Sequence, residues 1–117
     1  MDRINNLRKI YVVNQVKNII MPNFEESDLL RQNVIFIGKV QRVGFRLEVY
    51  LLAQRLGLTG WVKNKEDKSV EAQIQGEIHK IDFLVGFMKS LTRAKVKNVE
   101  IKEIDIDDNE VSFILIK

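Results

Sequence analysis

A strand pattern runs directly into a helix pattern near the middle of the chain. Val34–Val40 is an almost unbroken apolar run rich in β-branched residues, which predicts a strand buried on both faces or central in a sheet. It is followed by an apolar repeat at helical spacing, made of Phe45, Val49, Leu52, Ala53 and Leu56. This repeat predicts an amphipathic helix that Gly57 ends. The chain must therefore turn sharply from strand to helix at Gly44.

This turn has the features of an anion site. The first turn of a helix leaves backbone N–H groups without internal partners, and the helix dipole makes that end positive. Arg46 lies just inside the predicted helix, and its guanidinium can bind two phosphate oxygens at once. We therefore expect a bound phosphate group here. An ordinary turn beside a solvated arginine is the alternative interpretation of the same residues.

The remainder of the chain continues with short strand and helix patterns. These are strands over Leu58–Asn64 and Ser69–Gln75, a helix from Ile78 to Leu91, and strands over Val96–Ile106 and Val111–Ile116. A shift in apolar phase between Ile101 and Ile104 predicts a β-bulge. The order βαββαβ plus a terminal strand predicts an α+β, ferredoxin-like sandwich, with an antiparallel sheet and both helices on one face.

Residues 1–32 form a separate extension in this scheme, and residues 33–117 form the domain. Apolar residues at roughly helical spacing predict a helix within residues 1–21 that stops at Pro22. Residues 22–32 are predicted to be a linker or one short turn of helix. A flexible extension is the alternative for the whole segment. Because every predicted strand starts at or after Asn33, we expect deletion of residues 1–32 to leave a folded domain.

Composition excludes several classes of site. The chain contains no cysteine and a single histidine, His79, which excludes disulfides, a thiolate nucleophile and Cys- or His-based zinc clusters. The formal charge of +3 is dispersed along the chain, so it does not predict nucleic-acid binding. We expect no membrane span and no secretory signal, and hence a cytoplasmic protein, acting as a monomer.

Two motifs resemble the acylphosphatase family. Val40–Arg46 reads VQRVGFR, and Gly57–Asn64 reads GLTGWVKN, similar to the family's VQ-x-VGFR loop and GLxGWVxN strand. The resemblance covers residues 33–117 and implies hydrolysis of an acyl phosphate to a carboxylate and inorganic phosphate, without a metal or cofactor. It implies that Arg46 binds the phosphoryl group and that Asn64 holds the attacking water. The substrate-binding loop that it implies consists of Gln41, Arg42, Val43, Gly44, Phe45 and Arg46. Phosphate or sulfate is expected to bind there as product or inhibitor.

The sequence departs from the family pattern at two positions. Arg42 replaces a glycine that is typical of the loop, and a positive φ there would be possible at some energetic cost. Lys68 replaces a glycine of the following hairpin, so we expect a wider loop at this point.

Two other functions compete with the enzyme. A non-catalytic anion-binding or interaction module could retain the fold, and in that case Asn64 is only a hairpin residue. An RNA-binding domain of this fold needs exposed aromatic residues on its central strands. The segment Ser69–Gln75 contains none, which disfavours that function.

Overall fold

The computed structural model describes residues 3–117, with side chains from Asn6 onward. The elements are α1 (Arg3–Lys17), β1 (Leu29–Lys39), α2 (Phe45–Arg55), β2 (Thr59–Asn64), β3 (Val70–Glu77), α3 (Ile78–Lys89), β4 (Lys95–Ile104) and β5 (Phe113–Leu115). From β1 to β4 the order is βαββαβ, as the sequence predicts. The ferredoxin-like α+β fold is thereby confirmed.

The sheet is mixed and five-stranded, in the order β4-β1-β3-β2-β5. Strands β1 to β4 pair antiparallel, but β5 runs parallel to β2, with Gly60 opposite Phe113. The predicted antiparallel pairing is therefore confirmed for β1 to β4, and the additional C-terminal strand makes the sheet mixed. The reason is topological, since the chain leaves β4 at one edge, reverses, and reaches the other edge in the direction of β2.

The core lies between the sheet and helices α2 and α3, which cover one face. Alternate residues of the strands, such as Phe36 of β1 and Ile74 of β3, are fully buried there. Phe36 packs edge-on against Phe45, the first residue of α2, at a centroid distance of 5.0 Å. Burying such a side chain stabilises the fold by roughly 1.5–3 kcal/mol. This contact fixes the start of α2 over β1.

The uncovered face of the sheet has a buried arginine. Arg31 is 5% exposed and forms an ion pair with Glu110 at 2.6 Å. It also donates to the side-chain oxygens of Gln73 and Gln75, at 3.0 and 3.2 Å. A buried charge is tolerated only when it is paired and hydrogen-bonded in this way. The cluster anchors the connection between β4 and β5.

The bulge in the sheet lies elsewhere than predicted. Ile37 pairs with Asn98 and Gly38 with Val96, so Lys97 is the extra residue. Between Ile101 and Ile104 the register is continuous. The apolar phase misled the prediction because β4 is an edge strand, and Ile101 is simply exposed.

The N-terminal segment is helical, as predicted. Val12 and Val16 of α1 are buried, and Arg55 of α2 donates a hydrogen bond to the Val16 carbonyl oxygen. Leu7 and Tyr11, which the helical spacing also placed on the apolar face, are 59% and 55% exposed. Only part of the apolar stripe meets α2, and this part docks the helix.

Residues 22–28 connect α1 to β1 without regular secondary structure, but they pack onto α3, and residues 29–32 belong to β1. Phe24 packs edge-on against Phe83 of α3, and the Ser27 hydroxyl accepts a hydrogen bond from the backbone N–H of His79. Strand β1 begins at Leu29. The premise that every strand starts at or after Asn33 is therefore wrong. Folding of residues 33–117 alone stays a prediction, and deletion of residues 1–32 would cut into β1.

Candidate functional site

The turn between β1 and α2 has an unusual backbone. Gly44 precedes α2 with φ 77°, and no side chain caps the helix. The first helical hydrogen bond runs from Glu48 N–H to the Gly44 carbonyl oxygen, 3.0 Å. The N–H groups before Glu48 in the first turn consequently have no partner within the helix. Arg42 also has a left-handed backbone conformation, with φ 63°. The sequence analysis considered this positive φ to be possible at some energetic cost.

A cleft of about 650 Å³ opens at this turn. Its lining comes from the loop and α2, from the end of β2, from β5 and from α1. The lining residues are Arg8, Lys9, Val40, Arg42, Gly44, Phe45, Arg46, Leu47, Asn64 and Leu115. Among the side chains that the structure describes, this lining includes four cations and no carboxylate. The cleft is therefore suited to an anionic ligand.

The predicted site residues divide into two groups. Arg42, Gly44, Phe45, Arg46 and Asn64 all line the cleft. Gln41 and Val43 are outside this lining and make structural contacts instead, described below. Residues far apart in the chain, on the loop and on β2, are thus brought to one cleft.

Arg46 is held at the mouth of the cleft. Its Nη1 donates a hydrogen bond to the carbonyl oxygen of Ile116, at 2.9 Å. A guanidinium has five N–H donors, so this bond orients the group and leaves donors for a ligand. The contact depends on β5, because the parallel pairing with β2 brings Ile116 to this end of the sheet.

Asn64 is the last residue of β2 and is exposed. The turn after it is tight, since Lys68 N–H bonds to the Lys65 carbonyl at 3.2 Å and Lys65 N–H to the Ser69 carbonyl at 2.9 Å. Lys68 adopts φ 78°, the conformation usually taken by glycine. The predicted wider loop is therefore wrong, because the lysine accepts the backbone strain. Asp67 supports the turn through hydrogen bonds from the Ser69 N–H and hydroxyl.

Gln41 connects the loop to this hairpin. Its Nε2 donates to the carbonyl oxygens of Lys65 and Ser69, at 2.8 and 2.9 Å. Since these carbonyls flank the turn next to Asn64, one side chain sets the distance between the two sides of the cleft. Gln41 acts through the backbone of the hairpin.

Arg93 holds the loop from the other side, and the sequence did not reveal it. Its Nε donates to the Val43 carbonyl oxygen, and its Nη2 pairs with the fully buried Glu48. Its Nη1 also reaches Gln15 of α1 at 3.4 Å. Arg93 follows α3 in a turn with no recognisable motif, so only the tertiary structure could identify it.

Two carboxyl groups near the site have shifted pKa values in opposite directions. Burial raises the pKa of Glu48, and the hydrogen bond and charge of Arg93 oppose that rise only in part. The hydrogen bonds from Ser69 lower the pKa of the exposed Asp67. Asp67 is a turn-forming carboxylate outside the cleft lining.

Comparison with known proteins decides the family. A protein-family model described as Acylphosphatase matches residues 32–115. The chain belongs to the acylphosphatase family. An acylphosphatase from Picrophilus torridus is 37% identical over 79 residues, which cover 68% of this chain and 89% of that protein.

Solved structures of acylphosphatases share the fold. The crystal structure of acylphosphatase from Bacillus subtilis aligns with a TM-score of 0.70 at 30% identity, over 77% of this chain and all of that one. The acylphosphatase from Coxiella burnetii aligns with a TM-score of 0.69 at 36% identity, over 75% and 93% of the two chains. The family match begins at residue 32, so α1, with Arg8 and Lys9, lies outside it.

Within residues 3–117, no helix has both the length and the apolar character needed to cross a membrane. The described His, Asp and Glu side chains form no group of three or more able to hold a metal ion.

Proposed function

We propose that this protein hydrolyses acyl phosphates, with Arg46 and the loop N–H groups binding the phosphoryl group and Asn64 holding the attacking water. The acylphosphatase family and fold support the reaction. The observation that carries the assignment of roles is the cleft itself. It brings the uncapped N-terminus of α2, the Arg46 guanidinium and the Asn64 amide together at one place.

Binding follows from the charge of the phosphoryl group. Its oxygens accept hydrogen bonds from the free N–H groups of the first turn of α2, where the helix dipole is positive. Arg46 adds a full positive charge and paired donors. Gly44 permits the left-handed backbone that starts α2, because a side chain there would be strained at φ 77° and would collide with Val12 of α1. Binding strengthens as negative charge spreads over the phosphoryl oxygens in the transition state.

The chemical step needs a positioned water. Asn64 offers both an acceptor and donors, so it can hold a water in line with the scissile bond. The water oxygen bonds to phosphorus while the bond from phosphorus to the acyl oxygen breaks. The electron pair leaves with the carboxylate, and the water protons remain with phosphate and solvent. Because a carboxylate is a good leaving group, positioning and electrostatic stabilisation carry the acceleration.

One assay tests the proposal. Benzoyl phosphate hydrolysis is measured with and without a chelator, and with added inorganic phosphate or sulfate. We expect turnover that does not change with the chelator and competitive inhibition by either anion. Loss of activity in chelator would contradict a metal-independent reaction. Phosphate binding without turnover would instead identify an anion-binding module on the same fold.

The remaining predictions concern the type of ligand, the cellular compartment and the oligomeric state. We propose that it acts on a free small molecule, as a cytoplasmic monomer, and not on nucleic acid or membranes. The compact shape of the cationic cleft supports a small ligand, since an extended nucleic-acid surface would require a basic stripe. Size-exclusion chromatography with light scattering measures the oligomeric state.

A further inference from the structure

Helix α1 is a fixed part of the cleft. It docks through the buried Val12 and Val16, and Arg55 binds its last turn at the Val16 carbonyl. Its position over the loop is set by contact, since a Cβ built on Gly44 would lie 2.8 Å from Val12 Cγ2. The helix therefore packs directly against the residue that opens the anion site.

The packing of α1 also determines where Arg8 lies. Val12 lies one turn further along the same face, so Arg8 also faces the loop. The Cγ and Cδ atoms of Arg8 lie 3.4 and 3.5 Å from the same built Cβ position at Gly44. The aliphatic stem of Arg8 thus covers the loop backbone, and the residue lines the cleft together with Lys9.

The cleft has more positive charge than the transferred group requires. In the proposed reaction, the phosphoryl group is bound by the N-terminus of α2 and Arg46. Arg8, Lys9 and Arg42 are additional cations in the same lining, which among the described side chains contains no carboxylate. In-line displacement directs the acyl group away from the water at Asn64, so a negatively charged acyl group can meet another cation of the cleft lining, and Arg8 and Lys9 belong to that lining.

We propose that α1 makes the site selective for acyl phosphates whose acyl part has its own negative charge, with Arg8 binding that second charge. The inference rests on the proposed function and names its substrate class. The monoacyl phosphate of a dicarboxylic acid belongs to this class. Arg8 is a specificity-determining residue, because it acts on the part of the substrate that is not transferred.

The test compares two substrates of equal chain length. Succinyl phosphate ends in a carboxylate and butyryl phosphate in a methyl group, and each rate is corrected for spontaneous hydrolysis. The readout is the ratio of kcat/KM for succinyl phosphate to that for butyryl phosphate. We expect the ratio to exceed one in the wild type. It should decline as NaCl is raised to about 0.5 M, because salt screens a partly exposed ion pair.

Variants of Arg8 locate the effect. Arg8→Ala should lower the ratio about three- to tenfold, the size expected for one partly exposed ion pair. Arg8→Glu should lower it further, and Arg8→Lys should retain most of it. Lys17→Ala is the matched control, since Lys17 lies roughly 13 Å further along α1 at the usual helical rise. It should leave the ratio unchanged.

The outcomes separate this inference from the proposed function. If the wild type hydrolyses neither substrate, the proposed function fails, and this inference fails with it. If both are hydrolysed and Arg8→Ala lowers both kcat/KM values equally, Arg8 binds the shared phosphoryl group and only the inference is overturned. A ratio that stays the same in Arg8→Glu, with the helical circular dichroism unchanged, overturns it as well.

Discussion

The cleft has two walls that both contain a left-handed backbone conformation, with a different result in each wall. The loop wall is residues 41–46 and the hairpin wall is residues 64–69. Each contains one non-glycine residue with positive φ, Arg42 at 63° and Lys68 at 78°. Arg42 lines the cleft, whereas Lys68 does not. The strained backbone therefore occurs in both walls, but only on the loop wall does the strained residue line the cleft.

The two walls also differ in support. The loop wall is tied to the core by Arg93, which binds Val43 and the buried Glu48. The hairpin wall depends on local hydrogen bonds around Asp67 and on Gln41, which reaches across from the loop. In the proposed mechanism the loop wall holds a charged group, and buried anchoring suits that role. The hairpin wall would position only a neutral water, for which the lighter support is sufficient.

The largest expected effect separates the roles of the two walls. Arg46→Ala removes the charge aimed at the phosphoryl oxygens, so kcat/KM should decrease by on the order of 10³ and phosphate should cease to inhibit. Asn64→Ala should lower kcat by on the order of 10² while phosphate inhibits at a similar concentration. Steady-state kinetics with benzoyl phosphate, and phosphate inhibition constants, measure both.

A matched control keeps this comparison sharp. Asn98→Ala removes an exposed asparagine on the β4 edge, outside the cleft lining, and should change neither kcat nor inhibition. Thermal unfolding of each variant shows whether it is folded. Equal, mild losses in Arg46→Ala and Asn64→Ala would mean that the walls do not divide binding from water positioning, and Asn64 would return to the role of a hairpin residue.

The loop wall was more accessible to sequence reasoning than its surroundings. A buried strand, a glycine turn and a helical repeat are local patterns, and they predicted Gly44 at the turn and Arg46 in the first turn of α2, where the structure has them. Asn64 needed the second motif. Arg93 and Arg8 were not identified as site residues, because their roles depend on contacts between distant elements.

Elements were predicted best where burial imposes a period. Helices α2 and α3 and the central strands have clear apolar faces, and they were found. The predicted start of strand β1 was too late, because Arg31 interrupts the apolar pattern of the strand. In the structure Arg31 is nevertheless buried, and it forms an ion pair with Glu110. The direction of β5 depends on which edge the chain reaches, and no local pattern encodes this.

A smaller effect is expected from relieving the strained backbone that occurs in both walls. Lys68→Gly relieves a left-handed lysine, so the free energy of unfolding should rise by roughly 1 kcal/mol with kcat/KM unchanged. Arg42→Gly should stabilise the fold similarly but raise KM, because it also removes a cation from the cleft. Urea denaturation and benzoyl phosphate kinetics measure both quantities. If Lys68→Gly changed kcat/KM and Arg42→Gly did not, the strained residue that matters for activity would lie in the hairpin wall and not in the loop wall.

The smallest effect is a difference in pH dependence between two carboxyl groups, Glu48 behind the loop wall and Asp67 in the hairpin wall. Glu48 has a raised pKa in the folded protein, so the folded state binds more protons than the unfolded state above the ordinary value of 4.5. Its contribution to stability is then full below 4.5 and is lost as pH rises through the raised pKa. Asp67 has a lowered pKa, so its contribution is present above 3.8 and is lost as pH decreases through the lowered value.

Two conservative variants isolate these terms. The free energy of unfolding of the wild type relative to Glu48→Gln should increase as pH is lowered from 7 towards about 4.5. Relative to Asp67→Asn, it should stay constant over that range and decrease below about 3.8. Urea denaturation across this pH range measures both differences. If the Glu48 difference were flat or of the opposite sign, Arg93 would offset the burial of the carboxylate completely, and the loop wall would be anchored by a fully ionised pair.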